Sequence, residues 1–152
     1  MNKLLLKVLA VFAAFFTYTT VSAQHKADDI VGYWLNQDKD AKIEISKQGN
    51  KYFGKIVWLA TPIDPETNKP KVDKHNPKES LRTRPTLGLE ILKSFVFDGK
   101  QEWNDGSIYD PKSGKTYDCF MKFESSTSLK IRGYVGISLL GKTTIWTKTT
   151  LQ

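Results

Sequence analysis

The chain has 152 residues, a formal net charge of +7 and a single cysteine, and 39% of its residues are hydrophobic. This length and composition are typical of one domain with one core. A lone cysteine excludes an intramolecular disulfide, so side-chain packing has to stabilise the fold. The basic residues are scattered along the sequence without a nucleic-acid-binding motif, so we expect no nucleic acid partner.

Residues 1–23 have the pattern of a secretory signal peptide. Two lysines precede or flank an apolar run at 8–16, and Val21-Ser22-Ala23 supplies small residues at a cleavage point. The run is shorter than the roughly 20 residues that span a membrane. We therefore expect cleavage before Gln24, export to the periplasm or the extracellular space, and no membrane span in the mature chain. Residues 24–152 would then form a single domain with 21 basic and 16 acidic residues, a net charge of +5.

Eight short β-rich runs follow in the mature chain, and turn residues separate most of them. Gly49-Asn50, Asp98-Gly99 and Ser113-Gly114 suit tight hairpins, because glycine and asparagine tolerate positive φ, so most neighbouring strands should be antiparallel. Asp105-Gly106 falls inside the fifth run and predicts a bulge or an extra turn. The predicted strands are 32–36, 41–47, 51–59, 89–97, 101–109, 115–124, 129–135 and 140–149.

Apolar and polar residues alternate in these runs, which gives each strand one dry and one wet face. In the sixth run, Cys119, Met121 and Phe123 share the dry face, so Cys119 is predicted to be a buried, unreactive thiol. No long amphipathic helix is available in the sequence to cover a sheet. The pattern therefore predicts an all-β fold that closes into an eight-stranded antiparallel up-and-down barrel.

Tryptophans in the first and last strands predict where the barrel closes. Gly32 and Trp34 lie in the first strand, and Trp146 and Lys148 lie in the last. This pair of motifs resembles the closure of lipocalin-like, or calycin, barrels, in which a first-strand tryptophan packs beneath a basic side chain of the last strand. Lys148 keeps the charge at that position, although it lacks the planar group with which an arginine would stack.

One connection, residues 60–86, is long and holds five of the six prolines. A connection of this length in a small domain is typical of a functional lid or a mobile segment. Within it, Asn76-Pro77-Lys78-Glu79 has the signature of a helix start, because asparagine can cap, proline suits the first turn and glutamate can bond back. We expect one helical turn through Leu81, with Leu81 plugging one end of the barrel.

A series of spaced motifs runs through the mature chain. They are Asp73-x-x-Asn76-Pro77, Leu81-Arg82-x-Arg84-Pro85 with Gly88, Trp103, Gly106-x-Ile108-Tyr109-Asp110-Pro111, Gly114-x-x-Tyr117, Gly133-Tyr134-x-Gly136 and Trp146. Together they resemble the exported bacterial family DUF2147, a domain of unknown function, over nearly all of residues 29–148. The resemblance implies an eight-stranded lipocalin-like barrel, export across the inner membrane and no established activity.

A barrel of eight strands is just wide enough to be filled by its side chains or to hold one small ligand. Aromatic walls with hydroxyl or indole groups suit a ligand cavity and suit a packed core equally well. Arg82 and Arg84 flank one residue, so their guanidinium groups could hold a carboxylate or phosphate, or tie the long connection to Asp73, Asp110 or Glu90. The candidate ligand-binding residues are Tyr52, Ile56, Trp58, Arg82, Arg84, Trp103, Tyr109 and Tyr117.

These features favour an exported protein that binds a small apolar or anionic amphipathic ligand. One alternative is a cell-envelope interaction module, with a packed barrel and a protein partner held by the basic loop. A hydrolase-type enzyme is a further alternative, which needs a carboxyl group with a raised pKa, such as Asp73 or Asp110, beside a pocket. His75 lacks the histidine or cysteine partners of a zinc site. We assign no catalytic residue, no metal site and no cofactor.

Overall fold

Eight antiparallel strands close into a barrel in the computed structural model, which describes residues 25–152. The signal peptide predicted at 1–23 lies outside the described residues. The strand order confirms the predicted barrel, and each predicted strand end lies within one residue of the observed one. The barrel strands are β1 (Gly32–Leu35), β2 (Ala41–Gln48), β3 (Lys51–Leu59), β6 (Glu90–Phe97), β7 (Glu102–Asp110), β8 (Lys115–Ser125), β9 (Ser128–Tyr134) and β10 (Gly141–Thr149).

Four short elements lie outside the barrel wall. Strands β4 (Ile63–Asp64) and β5 (Lys69–Pro70) form a small hairpin within the long connection, and Asn68 takes the left-handed conformation, with φ 53°, that its turn requires. The other two elements are 3-10 turns, the N-terminal turn (Ala27–Ile30) and the loop turn (Glu79–Leu81). No helix within 25–152 has the length and hydropathy needed to cross a membrane.

The barrel closes where β1 pairs with β10, with Trp34 opposite Lys148 in the register. The Nζ atom of Lys148 lies 5.7 Å from the centroid of the Trp34 ring, within range of a cation–π interaction. The Trp34 indole Nε1 also donates a 2.8 Å hydrogen bond to the carbonyl of Ile30. The closing strand pair therefore also anchors the N-terminal turn to the barrel.

One end of the barrel, which we call the closed end, is filled with aromatic rings. The Trp103 and Phe123 ring centroids are 5.7 Å apart, and Trp34 lies 5.8 Å from Phe123. Ile30 of the N-terminal turn is fully buried, and the Trp103 indole donates a 3.1 Å hydrogen bond to the carbonyl of Ala27. The N-terminal turn therefore covers a solid aromatic core, to which Tyr52, Phe95 and Phe97 also belong.

The predicted helical turn is confirmed in position but begins later. Asn76 accepts a 2.9 Å hydrogen bond from the Lys78 backbone through its side chain, and only Glu79–Leu81 is helical. The prediction that Leu81 plugs the barrel was wrong. Leu81 is only partly buried and lies outside both the core and the cavity lining, because polar contacts of Asn76 with Asp73, Tyr109 and Arg82 hold this part of the long connection in place.

Candidate functional site

The opposite half of the barrel, which we call the open half, contains a cavity of about 850 Å³. This volume lies toward the upper part of the 300–1,000 Å³ range typical of small-molecule sites. The barrel is therefore packed at one end and hollow at the other. Of the two alternatives for its interior, filling by side chains applies to one half and an open cavity applies to the other. The apolar wall of the cavity includes Ile43, Ile56, Ile91, Ile108, Ile131 and Trp146.

Two features of the strands give the cavity its width. Branched aliphatic side chains point inward in this half, whereas large aromatic rings fill the closed end. Gly133 of β9 also faces inward and contributes no side chain; a Cβ there would lie 3.3 Å from a methyl group of Ile108 and 3.5 Å from Tyr117. The space in the middle of the barrel thus comes from a glycine and from aliphatic side chains that are smaller than the aromatic rings of the closed end.

Four connections surround the mouth of the cavity. They are the β1–β2 loop (36–40), the long connection, the β7–β8 turn (111–114) and the β9–β10 loop (135–140). In the closed strand order, the β1–β2 loop faces the β7–β8 turn, and the long connection faces the β9–β10 loop. Any contact between facing connections therefore crosses the mouth.

One such contact crosses it, and we call it the mouth strap. Lys112 of the β7–β8 turn places its Nζ 2.7 Å from an Asp40 carboxylate oxygen and 3.0 Å from one of Asp38. Burial acts to raise the pKa of Asp40, but hydrogen bonds from Lys112 and Asn36 outweigh it and hold the pKa below its usual value. The hydrogen bond to Asp40 raises the pKa of Lys112. Asp40 therefore stays ionised above about pH 4, and Lys112 stays ionised below about pH 10.

Replacing Lys112 with methionine should open the mouth. We expect the variant to release a small fluorescent amphiphile, used as a probe of the cavity, several-fold faster in stopped-flow measurements, because the ion pairs of Lys112 across the mouth are then lost. Exposed ion pairs contribute at most about 1 kcal/mol, so stability should hardly change. Lys100→Met, an exposed change at the closed end, is the matched control. An unchanged release rate in Lys112→Met would show that the strap does not gate the cavity.

A buried cluster, which we call the clamp, fixes the long connection over the barrel. The Asp73 side chain is fully buried and accepts hydrogen bonds from the Tyr109 hydroxyl (2.5 Å), Asn76 (2.8 Å) and the Arg84 guanidinium (2.7 and 2.9 Å). Burial alone would raise the pKa of Asp73, but hydrogen bonds from Tyr109, Asn76 and Arg84 outweigh it and lower that pKa. The clamp therefore holds an ionised carboxylate.

The β7–β8 turn also packs directly on the long connection. Gly114 has a φ of 71°, and a Cβ on it would lie 1.9 Å from the carbonyl oxygen of His75. Only glycine fits this contact, because any side chain would overlap the backbone of the long connection. Together with the clamp, this contact sets the position of the residues of the long connection that line the mouth, among them Lys71, Lys74 and His75.

Three of the predicted ligand-binding residues line the cavity: Ile56, Tyr109 and Tyr117. Tyr52 and Trp103 do not, since both are packed in the aromatic core of the closed end. Tyr52 there donates a 2.5 Å hydrogen bond to Asp28. Whether any of these side chains contacts a ligand stays a prediction.

Trp58 lies on the outside of the barrel, with the Lys42 Nζ 5.4 Å from its ring. The cause is a bulge in β3: Ile43 pairs with Ile56 and Lys42 pairs with Trp58, so Val57 has no partner. A bulge of one residue reverses the faces beyond it, and Leu59 takes the inward position instead.

The two arginines hold the long connection and do not line the cavity. Arg84 pairs with Asp73, and the Nε of Arg82 donates a 2.8 Å hydrogen bond to the carbonyl of Asn76. This arrangement agrees with the alternative in which the arginines tie the connection down. The basic groups at the rim are Lys71, Lys74, Lys112 and Lys142, which the sequence did not single out.

The carboxylates proposed for catalysis are engaged elsewhere. Asp73 has a lowered pKa, the opposite of what a general acid needs. Asp110 accepts hydrogen bonds from the Lys112 backbone and the Ser113 hydroxyl, as expected for a turn. Cys119 is 1% exposed, and burial raises its pKa to about 12. Among residues 25–152, no group of three His, Cys, Asp or Glu side chains is arranged to hold a metal ion.

Comparison with known proteins supports this architecture. A family model described as "Uncharacterized protein conserved in bacteria (DUF2147)" matches residues 32–148. A protein from the human pathogen Helicobacter pylori, described as belonging to the lipocalin family, has a similar structure, with a TM-score of 0.69 and 24% sequence identity. The alignment covers 80% of this chain and 83% of that chain, and at this identity it supports the fold alone. Among curated proteins there is no match.

Proposed function

This chain belongs to the bacterial family DUF2147, and we propose that its barrel binds one small amphipathic molecule with an anionic head group. The observation that carries the proposal is the hollow open half of the barrel, with a cavity of about 850 Å³. A lipocalin-like barrel with an open, mostly apolar cavity suits a small ligand better than a macromolecule.

The wall of the cavity suits the apolar part of such a ligand. Its deep part is formed by isoleucines and Trp146, none of which offers a charge. Burying hydrocarbon against them is favourable by about 25 cal/mol for each Å² removed from water. The partly buried Tyr117 adds a hydroxyl group, which has no hydrogen-bond partner among residues 25–152 and is free to orient a polar atom of the ligand.

Basic side chains at the rim of the cavity support the proposal that the ligand has an anionic head group. Lys112 is held by Asp38 and Asp40, and Lys74 lies 3.9 Å from Asp64. Lys71 and Lys142 also line the cavity, and neither has an acidic partner within the described part of the chain. An ammonium group without a counterion at the edge of an apolar cavity favours a carboxylate, sulfonate or phosphate there.

The alternative functions have less support. An envelope interaction module with a packed barrel does not account for a cavity of this volume, and Arg84, one of its proposed contact residues, is engaged by Asp73. Export is part of the proposal, because residues 1–23 have the signal-peptide pattern. We therefore propose that the protein binds its ligand in the periplasm or outside the cell.

Two adjacent threonines of β10 provide a matched test. Thr144 lines the cavity, whereas Thr143 faces outward and accepts a 2.8 Å hydrogen bond from Arg132. Thr144→Phe should weaken binding of a dansyl-labelled undecanoic acid at least about tenfold, since the ring fills space that the ligand needs. Thr143→Phe should change the affinity less than about twofold, because side chains one residue apart lie on opposite faces. Equal affinities of the two variants, or no binding by the unaltered protein, would refute cavity binding.

A further inference from the structure

The β9–β10 loop exposes four aliphatic side chains at the mouth of the barrel. The exposed fractions are 66% for Val135, 58% for Ile137, 80% for Leu139 and 68% for Leu140. The loop contains glycine and serine besides these residues and no charge. Contiguous exposed aliphatic groups of this kind mark a surface that another apolar phase covers. We call residues 135–140 the apolar loop.

The apolar loop is held in an outward conformation. The Arg132 guanidinium donates hydrogen bonds to the carbonyls of Ser138 (2.7 Å) and Leu139 (3.1 Å). Within the loop, the Leu140 backbone N–H donates to the carbonyl of Ile137 at 3.0 Å. These bonds satisfy the loop backbone without using the aliphatic side chains. The side chains are therefore presented to the surroundings rather than folded onto the barrel.

The two strands that carry the loop bear charge of one sign, although Asp118 of the neighbouring β8 pairs with Tyr134 beside the loop. Residues 125–152, which include β9, β10 and the loop, contain four lysine or arginine residues and no aspartate or glutamate. Arg132 and Lys142 lie on the two strands that carry the loop, near its ends. An uncharged aliphatic tip with basic side chains behind it is complementary to an anionic lipid leaflet, which offers hydrocarbon beneath a negatively charged surface.

The apolar loop is continuous with the cavity. Val135, Leu140 and Lys142 line the mouth of the cavity, whereas Ile137 and Leu139 of the same loop do not. A surface that covered Ile137 and Leu139 would therefore lie beside the opening of the cavity.

We propose that the apolar loop docks the barrel on an anionic lipid membrane, with Ile137 and Leu139 inserted among the lipid head groups. The mouth then lies at the membrane surface, and the amphipathic ligand enters from the leaflet. Only this entry route rests on the proposed binding function; the docking depends on the apolar loop and its basic flanks.

Vesicle flotation tests the docking. The protein, with its N-terminus established by intact mass so that all variants share it, is mixed with phosphatidylcholine vesicles with or without phosphatidylglycerol. We expect flotation with the anionic vesicles and at least about tenfold weaker binding for Ile137→Ser/Leu139→Ser, because two aliphatic side chains lose their apolar contacts. Leu87→Ser/Leu151→Ser, which changes two leucines exposed by 50% and 47% elsewhere, is the matched control.

A labelled variant gives a second readout. Leu139→Cys is coupled to a nitrobenzoxadiazole dye; Cys119 will not compete, because it is buried and its pKa is raised to about 12. The dye at 139 should shift to the blue on anionic vesicles, whereas the dye on Leu87→Cys should not. Absent flotation, flotation retained by the Ile137/Leu139 variant, or equal binding to neutral vesicles would overturn the proposal. So would a dimer that the variant converts to monomer, since a second copy would then cover the loop.

These experiments distinguish a failure of the docking proposal from a failure of the cavity-binding proposal. Neither Ile137 nor Leu139 lines the cavity, so the double variant should bind the dansyl fatty acid in vesicle-free solution as the unaltered protein does. Loss of vesicle binding with retained fatty-acid binding supports docking by the loop. Flotation that depends on the loop, in a protein that binds no fatty acid, would leave docking standing and overturn the ligand route.

Discussion

Replacing Asp73 with alanine is expected to lower the free energy of unfolding by about 3 kcal/mol, because it leaves the polar groups of a buried network without their acceptor. Tyr109, Asn76 and Arg84 all donate to this carboxylate, which is fully buried. The same change should release residues 71–86 from the barrel. Urea denaturation followed by tryptophan fluorescence measures the first effect, and hydrogen exchange of the long connection measures the second.

The effect of Asp73 should depend on pH in a defined direction. Its pKa is lowered in the folded protein, so the carboxylate stabilises the fold above about pH 4 and loses this contribution as the pH falls through the lowered pKa. The difference in stability between the unaltered protein and Asp73→Ala should therefore be constant from pH 5 to pH 8 and shrink in more acidic solution. Asp118→Ala, at an exposed aspartate of β8, should be neutral. A loss below about 1 kcal/mol for Asp73→Ala would contradict the clamp.

A second large effect is expected at Gly106, where an alanine should cost about 3 kcal/mol or more. A Cβ on Gly106 would lie 2.4 Å from two atoms of the Phe95 ring, which is itself fully buried, so the ring would have to shift within the core. The bulge between Trp103 and Gly106, with Asp105 at a φ of 59°, brings this stretch of β7 against the ring. Thermal and urea unfolding measure the loss.

Gly133→Ala is the control for this prediction. Gly133 also faces the interior and borders the cavity, but the nearest atom to its Cβ would be a methyl group at 3.3 Å, and the next, of Tyr117, lies at an ordinary contact distance of 3.5 Å. Alanine is favoured over glycine in a strand by about 0.5–1 kcal/mol, which offsets a slight contact, so the net change should stay within about 1 kcal/mol. Equal losses at 106 and 133 would show that contact with Phe95 is not what makes Gly106 necessary.

The barrel itself was predictable because its signals are local. Alternating burial and glycine-rich turns define each strand, as in 51–59, where the predicted and observed bounds of β3 agree. The tryptophans of the first and last strands indicated which edges meet. The β4–β5 hairpin was missed, although Asn68, which tolerates positive φ, gave a turn signal within the long connection.

Two details depended on long-range contacts and were not predictable. Trp58 continues the alternation of Gly54 and Ile56, but a bulge at Val57 places it outside, and Val57 has no neighbouring turn residue to mark the bulge as Asp105-Gly106 does in β7. Arg82 and Arg84 appear equivalent in the sequence. Only the fold shows that Arg84 meets a buried Asp73, which lies eleven residues before it.

The sequence also indicated which half of the barrel is packed and which is hollow, through the positions of its aromatic residues relative to the turns. Strand prediction alone does not use this information. Antiparallel strands alternate in direction, so the β2–β3, β6–β7 and β8–β9 turns share one end. Tyr52, Phe97, Trp103 and Phe123 all lie within a few residues of those turns, whereas the isoleucines of the cavity lie toward the other end. Assigning each aromatic residue to an end would have separated Tyr52 and Trp103 from the candidate ligand-binding residues.

Native mass spectrometry tests the central claim, that the open half of the barrel holds a ligand. The unaltered protein, Thr144→Phe and Thr143→Phe would each be incubated with lipids extracted from the envelope of the source cells. We expect one stoichiometric adduct on the unaltered protein and on Thr143→Phe, and none on Thr144→Phe. Denaturing extraction would then identify the bound molecule, and we expect an amphiphile with an acidic head group. No adduct on any of the three, or equal adducts on both variants, would contradict ligand binding in the cavity.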